Sequence, residues 1–267
     1  MSSTPEPPAT IDPNRPSAAR IYDAFLGGTH NFAADRAVAA RAVEMMPQTP
    51  LVAQANRAFL RRTVRYAIDH GIRQFLDLGS GIPTMHNVHE VAQAVAPDTR
   101  VVYVDIDPTA VLYARHLVDG DPHTAVVHGD LQQPKILLAE PEVRDLLDLS
   151  RPVAVLMIAV LHFVPDSPLL PAALRAYREA AAPGSLLVIS HGAGGSSSAE
   201  VDRLADLYNR TGTPLVPRDA EQVARFFEGW RLVEPGLVGV QAWRPGPDEP
   251  RLPEPVAGVM LGGVGVR

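Results

Sequence analysis

Residues 75–81 read Phe-Leu-Asp-Leu-Gly-Ser-Gly, an apolar run that ends in two glycines around a serine. The run predicts a short buried β-strand, and the glycines predict a tight turn whose backbone can approach a ligand because no Cβ intervenes. A helix predicted over residues 87–95 would begin just beyond this turn, and the free N–H groups of a helix start attract anionic groups. A ligand-binding loop is one interpretation of this stretch, and a plain strand-to-helix turn is the other.

The same alternation of apolar runs and amphipathic stretches continues along the chain. Four further strands are predicted, at residues 101–105, 125–128, 153–158 and 186–190. Near-continuous apolar strands that alternate with helices are typical of a parallel sheet covered on both faces. The sequence therefore predicts an α/β protein with a doubly wound, mostly parallel sheet.

The C-terminal part of the chain departs from this alternation. Residues 230–233 and 237–243 predict two strands, and Pro235-Gly236 between them indicates an antiparallel hairpin. Residues 256–266 are apolar and rich in glycine, and we expect them to pack back on the core.

The N-terminal part predicts helices. Ser17 is a suitable cap for a first helix within 17–30, and further helices are predicted over 33–46 and 50–69. We expect the chain to divide into four parts: a disordered proline-rich tail (1–16), a helical cap (17–70), a ligand-binding domain (71–245) and a C-terminal extension (246–267).

Composition limits the functions that are open to this chain. Its 267 residues are 46% hydrophobic and 20% charged, as in ordinary globular proteins. A net charge of −6 argues against nucleic acid as a partner. The absence of cysteine excludes disulfides, thiolate metal sites and cysteine nucleophiles, and it suits a cytoplasmic protein. No apolar run is long enough to span a membrane, and the N-terminus does not resemble a secretory signal.

Acidic residues stand at the ends of the next two predicted strands. Asp105 ends the second strand, where the carboxylate of a doubly wound sheet can accept both hydroxyls of a ribose. Asp130 follows the third strand, where it could accept a hydrogen bond from an adenine amino group. The alternatives are a solvent-facing Asp105 and an Asp130 that merely begins a loop, while Asp107 could cap the next helix.

These segments together resemble class I S-adenosylmethionine-dependent methyltransferases over about residues 71–245. The matching motifs are DLGSG (77–81), VVYVDID (101–107), HGDL (128–131), VLHFVPD (160–166) and PGSLLVIS (183–190). The stretches 15–36 and 75–108 are similar to an actinobacterial S-adenosyl methyltransferase family. The resemblance implies S-adenosyl-L-methionine as cofactor, with S-adenosyl-L-homocysteine as product. It also implies a seven-stranded sheet whose antiparallel last strand lies beside the fifth, a place that the predicted hairpin would fill.

The resemblance also implies a role for individual residues. Asp77, Gly79, Ser80 and Gly81 would hold the amino acid end of the cofactor. Asp105 would bind the ribose, Ile106 would lie against the adenine, Asp130 and Leu131 would read the adenine edge, and Ala159 would lie beside the methyl group. Residues 22–31 could close over the cofactor as a lid, with Tyr22, Asn31 and Asp35 as candidates. Helix packing and capping around Gly27-Gly28 is the alternative for these three.

Methyl transfer to a hydroxyl requires alignment and the removal of a proton, so a base is the residue to look for. His162, His191 and His30 are the candidates, with packing roles as the alternative. His86, His89 and Glu90 lack a further ligand from another element, so we expect no metal site. Arg57, Arg61 and Arg65 recur at helical spacing and predict a solvated helix face.

The function predicted from these residues is methylation of a small molecule, with oxygen as the expected acceptor atom. One alternative is a non-catalytic cofactor-binding or regulatory protein on the same fold. The other is a nicotinamide-dependent oxidoreductase, which would usually have a third glycine in the first loop.

Overall fold

A computed structural model of the chain describes residues 11–82, 87–192, 199–246 and 258–267. One open sheet forms its centre, with five parallel strands followed by antiparallel strands from the C-terminal part. The strands are β1 (Gln74–Leu78), β2 (Arg100–Asp105), β3 (Thr124–His128), β4 (Ala154–Ile158), β5 (Leu186–Gly192), β6 (Arg231–Leu232), β7 (Val238–Gly239) and β8 (Met260–Val266).

The order across the sheet is β3-β2-β1-β4-β5-β8, and β6 and β7 pair with different parts of β8. The chain thus turns outward in opposite directions from β1 and β4. In a doubly wound sheet this topological switch leaves a crevice at the carboxyl ends of the strands. The predicted α/β class and the mostly parallel sheet are confirmed.

The predicted C-terminal hairpin is wrong. β6 and β7 do not pair with each other, and the antiparallel neighbour of β5 is β8. Glycine normally weakens a strand, but in β8 it lets aromatic side chains pack directly against the backbone. A Cβ on Gly262 would lie 2.8 Å from Cζ of Phe59, and one on Gly265 would lie 2.7 Å from Cβ of Trp230. The sheet therefore extends past residue 245, while the division into four parts stays a prediction.

Helices cover both faces of the sheet, as predicted. One face packs on α3, α4 and α5, and the other packs on α7 and α8, so the core forms two separate apolar layers. The helices are α1 (Ala18–Phe25), α2 (Ala33–Met45), α3 (Thr49–Asp69), α4 (Val88–Gln93), α5 (Pro108–Leu117), α6 (Pro134–Leu137), α7 (Pro141–Leu146), α8 (Leu169–Ala180), α9 (Ala199–Asn209) and α10 (Ala220–Ala224). Within the described ranges, no helix combines the length and apolarity needed to cross a bilayer.

The three predicted N-terminal helices are confirmed as α1, α2 and α3. The Ser17 side chain caps α1 by accepting a hydrogen bond from the backbone N–H of Arg20. A buried ion pair joins Arg20 to Asp35 of α2, with 2.8 Å between Nε and Oδ2. Arg20 also donates to the Thr109 hydroxyl at 3.0 Å, at the start of α5. The N-terminal helices are therefore fastened to the helix that follows β2.

Candidate functional site

A cavity of about 250 Å³ lies at the carboxyl edge of β1, β2 and β4, where the sheet topology leaves its crevice. All of the binding residues predicted from the sequence line it, with the exception of Asn31. The lining includes Tyr22, Asp77, Gly79, Ser80, Gly81, Asp105, Ile106, Asp130, Leu131 and Ala159. The structure therefore gathers residues from four loops and from α1 around one space.

The turn after β1 depends on its two glycines. Gly79 and Gly81 have φ angles of +73° and +65°, a region that side chains rarely adopt. A Cβ on Gly79 would overlap the side chain of Val160, so this glycine is also required for packing. A Cβ on Gly81 would meet nothing within 4 Å. The missing side chain at Gly81 leaves open space beside the cavity, as a ligand-binding loop requires.

Asp105 holds this turn in place. Its two carboxylate oxygens accept the backbone N–H groups of Gly81 at 2.7 Å and of Asp107 at 2.8 Å. Burial raises the pKa of Asp105 to about 6, although these hydrogen bonds act in the opposite direction. Because each oxygen has a second lone pair, the carboxylate can still accept hydrogen bonds from the hydroxyl groups of a ligand.

Two further acidic groups in the cavity wall have carboxylate oxygens that accept no hydrogen bond from a described residue, although Oδ1 of Asp107 caps α5 by accepting the N–H of Thr109 at 2.7 Å. Asp77 is buried, and no described residue donates to its carboxylate. Burial raises its pKa to about 7, against the attraction of Arg57. Oδ2 of Asp107 is buried without a hydrogen bond to any described residue, and the nearest Arg20 nitrogen is 4.0 Å away. Buried acceptors of this kind fit a ligand that brings its own donors, such as the ammonium and hydroxyl groups of S-adenosyl-L-methionine.

The far wall of the cavity combines an apolar surface with an acceptor. Ile106 is 65% exposed, unusually for its type, and it lies in the lining. Leu131 is buried beside it, and its carbonyl accepts the Tyr177 hydroxyl at 2.8 Å. Oδ1 of Asp130 accepts the N–H of Gln132, which leaves Oδ2 for other donors. This wall suits a flat ring with an amino group on its edge.

Ala159, directly after β4, has a left-handed φ of +54°. Its N–H donates to the backbone oxygen and the hydroxyl of Ser190. The Ser190 hydroxyl donates to Asn56 at 2.6 Å, and Nδ2 of Asn56 donates to the Tyr22 hydroxyl at 2.9 Å. Hydrogen bonds thus link α1, α3, β4 and β5 at one side of the cavity. No local sequence signal pointed to Asn56 or Ser190.

The three predicted lid residues lie in different surroundings. Tyr22 lines the cavity. Asn31 instead donates to Asp23 at 2.8 Å, inside the loop after α1. Asp35 accepts from the Arg20 side chain and from the backbone of Phe32. Packing and capping, the alternative considered for these residues, describes what Asn31 and Asp35 do in the structure.

The three candidate bases lie in different places. His191 is fully buried, and its Nε2 accepts from Arg218 at 3.1 Å. Burial, together with the charge of Arg218, lowers its pKa to about 4. The ring of His30 stacks edge-on against Tyr113, and neither belongs to the cavity lining. Of the three, His162 is the one that lines a second cavity.

The second cavity, of about 130 Å³, shares part of its wall with the first. Ala18, Tyr22, Ala159 and Phe163 line both. The rest of its lining is largely apolar and comes from Phe25, Met46, Thr49, Val52, Ala53, His162, Gly192, Leu204, Tyr208, Leu215, Val216, Pro217, Val259 and Met260. No motif in the sequence predicted this second cavity.

Two minor predictions can also be placed. Arg57 is not part of a solvated face, because it lines the first cavity and donates to Asn87 at 3.0 Å. His86 lies outside the described residues. Throughout the described part of the chain, no three His, Asp or Glu residues are grouped so as to hold a metal ion.

Comparisons with known proteins agree with this architecture. A family model described as S-adenosyl methyltransferase matches residues 4–267. A candidate methyltransferase from Thermobifida fusca, known from a crystal structure, is 41% identical, with a TM-score of 0.90 and 98% of each chain covered. A DUF574 family protein from Streptomyces avermitilis is 39% identical, with a TM-score of 0.87, over 95% of this chain and 98% of its own.

More distant structures share the fold alone. The CurJ carbon methyltransferase is 15% identical, with a TM-score of 0.51 over 84% of this chain and 60% of its own. No curated protein matches the chain significantly.

Proposed function

Because the chain belongs to the S-adenosyl methyltransferase family, we propose that it is an active enzyme that methylates a small molecule. The cofactor is S-adenosyl-L-methionine, and the family resemblance drawn from the sequence is confirmed. The nicotinamide alternative is thereby left without support. The observation that carries the proposal is the meeting of two cavities at Tyr22 and Ala159, one with acidic groups at loop ends and the other apolar.

The first cavity is the proposed cofactor site. The buried Asp77 carboxylate would accept the cofactor's ammonium group, and the glycine turn after β1 would lie against its carboxylate end. Asp105 would accept the ribose hydroxyls through the lone pairs that its backbone contacts leave free. Ile106 would cover one face of the adenine, and Oδ2 of Asp130 would accept from its amino group.

The proposed acceptor atom is an oxygen. When bound, the cofactor supplies a methyl group already activated by its positive sulfur, so the protein contributes mainly alignment. Tyr22 and Ala159 line both cavities and would fix the boundary at which the acceptor oxygen lies in line with the methyl group of the bound cofactor. No described residue of the second cavity carries a carboxylate. We therefore propose that the hydroxyl proton would be released to solvent, which favours an acidic hydroxyl as acceptor.

Isothermal titration calorimetry with S-adenosyl-L-homocysteine tests the cofactor site, with NAD as the negative control. We expect a dissociation constant in the micromolar range. Asp130→Ala should weaken binding about tenfold, because a hydrogen bond to a charged group is lost. Asp119→Ala is the matched control, since Asp119 is exposed and lies outside the cavity. Folded protein that does not bind S-adenosyl-L-homocysteine would refute the proposal.

Turnover requires a separate assay. Radiolabelled S-adenosyl-L-methionine should transfer its methyl group to a compound in a low-mass extract of the source cells. Cofactor binding without transfer to any fraction would favour a non-catalytic regulatory protein on the same fold.

A further inference from the structure

We propose that the second cavity binds the methyl acceptor, and that this acceptor is a small, uncharged, mostly apolar molecule whose polar group is held by His162 and Tyr208. The inference rests on the proposed function, because it takes the first cavity as the cofactor site. It goes further by naming the acceptor class and the residues that recognise it.

The position of the second cavity is the first support. Tyr22, Ala159 and Phe163 line both cavities, so a molecule in the second would lie directly against one in the first. Ala159 stands at the end of β4, at the switch point of the sheet. An acceptor must lie in line with the transferred carbon, and the second cavity is the described space that adjoins this point.

The described wall of the second cavity carries no charged side chain, and this favours an uncharged ligand. None of the described lining residues is Asp, Glu, Lys or Arg. Most of the surface comes from aliphatic and aromatic side chains, such as Phe25, Val52 and Leu204. An ion placed here would lose its hydration without gaining a counter-charge, which is strongly unfavourable. The described part of the wall therefore disfavours carboxylates and amines.

His162 supplies a hydrogen-bond donor to this apolar space. Its Nδ1 accepts the backbone N–H of Gly192 at 3.1 Å, so the proton of the neutral ring is on Nε2. Burial, His191 and Arg218 all lower the pKa of His162, which keeps the ring neutral. No hydrogen bond from its Nε2 to a described residue exists. His162 therefore lines the cavity with a neutral ring whose Nε2 proton is available to a ligand, and it is unsuited to act as a base.

Tyr208 supplies the second polar group. It belongs to α9, is 5% exposed and lines the cavity, and its hydroxyl has no hydrogen-bond partner among the described residues. Burial alone raises its pKa, so the hydroxyl keeps its proton. The hydroxyl is therefore available to a polar group of a ligand in the cavity.

The other two hydroxyls of the wall already donate within the protein. Thr49 donates to the carbonyl of Met46 at 2.6 Å, and Tyr22 donates to that of Ala53 at 3.2 Å. His162 and Tyr208 are therefore the described side chains of the wall that remain to hold a polar group of an otherwise apolar molecule.

Three matched compounds test the charge rule. The protein is first saturated with S-adenosyl-L-homocysteine, and p-cresol, 4-hydroxybenzoate and tyramine are then titrated by saturation-transfer NMR and calorimetry. We expect p-cresol to bind at least tenfold more tightly than its anionic and cationic relatives. Equal binding of the three compounds, or no binding of p-cresol, would overturn the inference.

Variants locate the site. Leu215→Trp fills the second cavity at a half-buried position and should abolish binding of p-cresol while S-adenosyl-L-homocysteine still binds. Leu169→Trp, on the exposed side of α8, is the control and should bind both. Tyr208→Phe should weaken p-cresol about fivefold, the usual effect of one lost hydrogen bond.

The failures are distinguishable. Failure of the wild-type protein to bind S-adenosyl-L-homocysteine would refute the proposed function. Normal cofactor binding with p-cresol bound equally well by Leu215→Trp would refute only the acceptor site.

Discussion

Replacing Asp77 by asparagine should make the ligand-free protein more stable at pH 8 and should weaken its binding of the cofactor. Asp77 is only 4% exposed, and this burial raises the pKa of its carboxyl group from 3.8 to about 7. Between these two values the folded chain binds more protons than the unfolded chain. The free energy of unfolding contributed by this group is therefore fully present below pH 3.8 and falls as the pH rises toward 7.

The size of the effect follows from the same pKa difference. A change from 3.8 to about 7 corresponds to roughly 4 kcal/mol of unfolding free energy, with the attraction of Arg57 already counted. Asparagine has nearly the same shape and no charge, so it avoids this loss. Its amide is still a polar group without a described partner, and we expect a net gain of about 2 kcal/mol at pH 8.

Urea unfolding at pH 5 and pH 8 measures this gain. Wild type should lose stability between the two values relative to Asp77→Asn, while Asp119→Asn, at an exposed position, should follow wild type. Binding of S-adenosyl-L-homocysteine at pH 8 should fall at least about tenfold in Asp77→Asn, because a charge-assisted hydrogen bond is lost. A variant less stable than wild type at pH 8, or a stability gap that does not change with pH, would refute the reasoning.

Three other substitutions test the site and its supports. Asp105→Asn should weaken S-adenosyl-L-homocysteine about tenfold or more in calorimetry, because an amide oxygen replaces only one of two carboxylate oxygens that accept backbone N–H groups at 2.7 and 2.8 Å; unchanged affinity would contradict this. Gly79→Ala should lower the free energy of unfolding by at least about 2 kcal/mol, since its Cβ would overlap Val160 at a left-handed φ; a melting temperature equal to that of wild type would count against it. Arg20→Met should cost about 3–5 kcal/mol in urea unfolding, because Asp35 would stay buried without its cation; a loss below about 1 kcal/mol would show that the ion pair matters little.

The strands that sequence reasoning predicted are those with a local signature. β1 and β2 are apolar runs bounded by charged residues or glycine, and this pattern is sufficient to recognise a buried parallel strand. β8 lacks such a signature because its glycines make room for Phe59 and Trp230, which lie far away in the sequence. Sequence reasoning predicted a hairpin between two nearby segments, residues 230–233 and 237–243. In the structure β8 pairs with β5 instead, and no local pattern indicates that pairing.

The candidate site divides in the same way. Asp105 and Asp130 were predicted because parallel strands bring their carboxyl ends to one edge, and Ile106 and Leu131 followed from the family resemblance. The bond between Ser190 and Asn56 joins residues 134 positions apart, and no spacing rule leads to it. The three histidines looked alike in the sequence. Their properties differ because their partners differ, as Arg218 shows for His191.

The course of β8 has a practical consequence for handling the protein. The strand begins at Met260, opposite Gly192 in the wall of the second cavity, and ends at Val266, opposite Leu186 at the other edge of the sheet. The backbone of Arg267 is held there by a hydrogen bond to Ser185 at 2.9 Å. A fluorophore or surface tether coupled at position 267 would lie on the side of the sheet away from both cavities, and would leave them open to ligands.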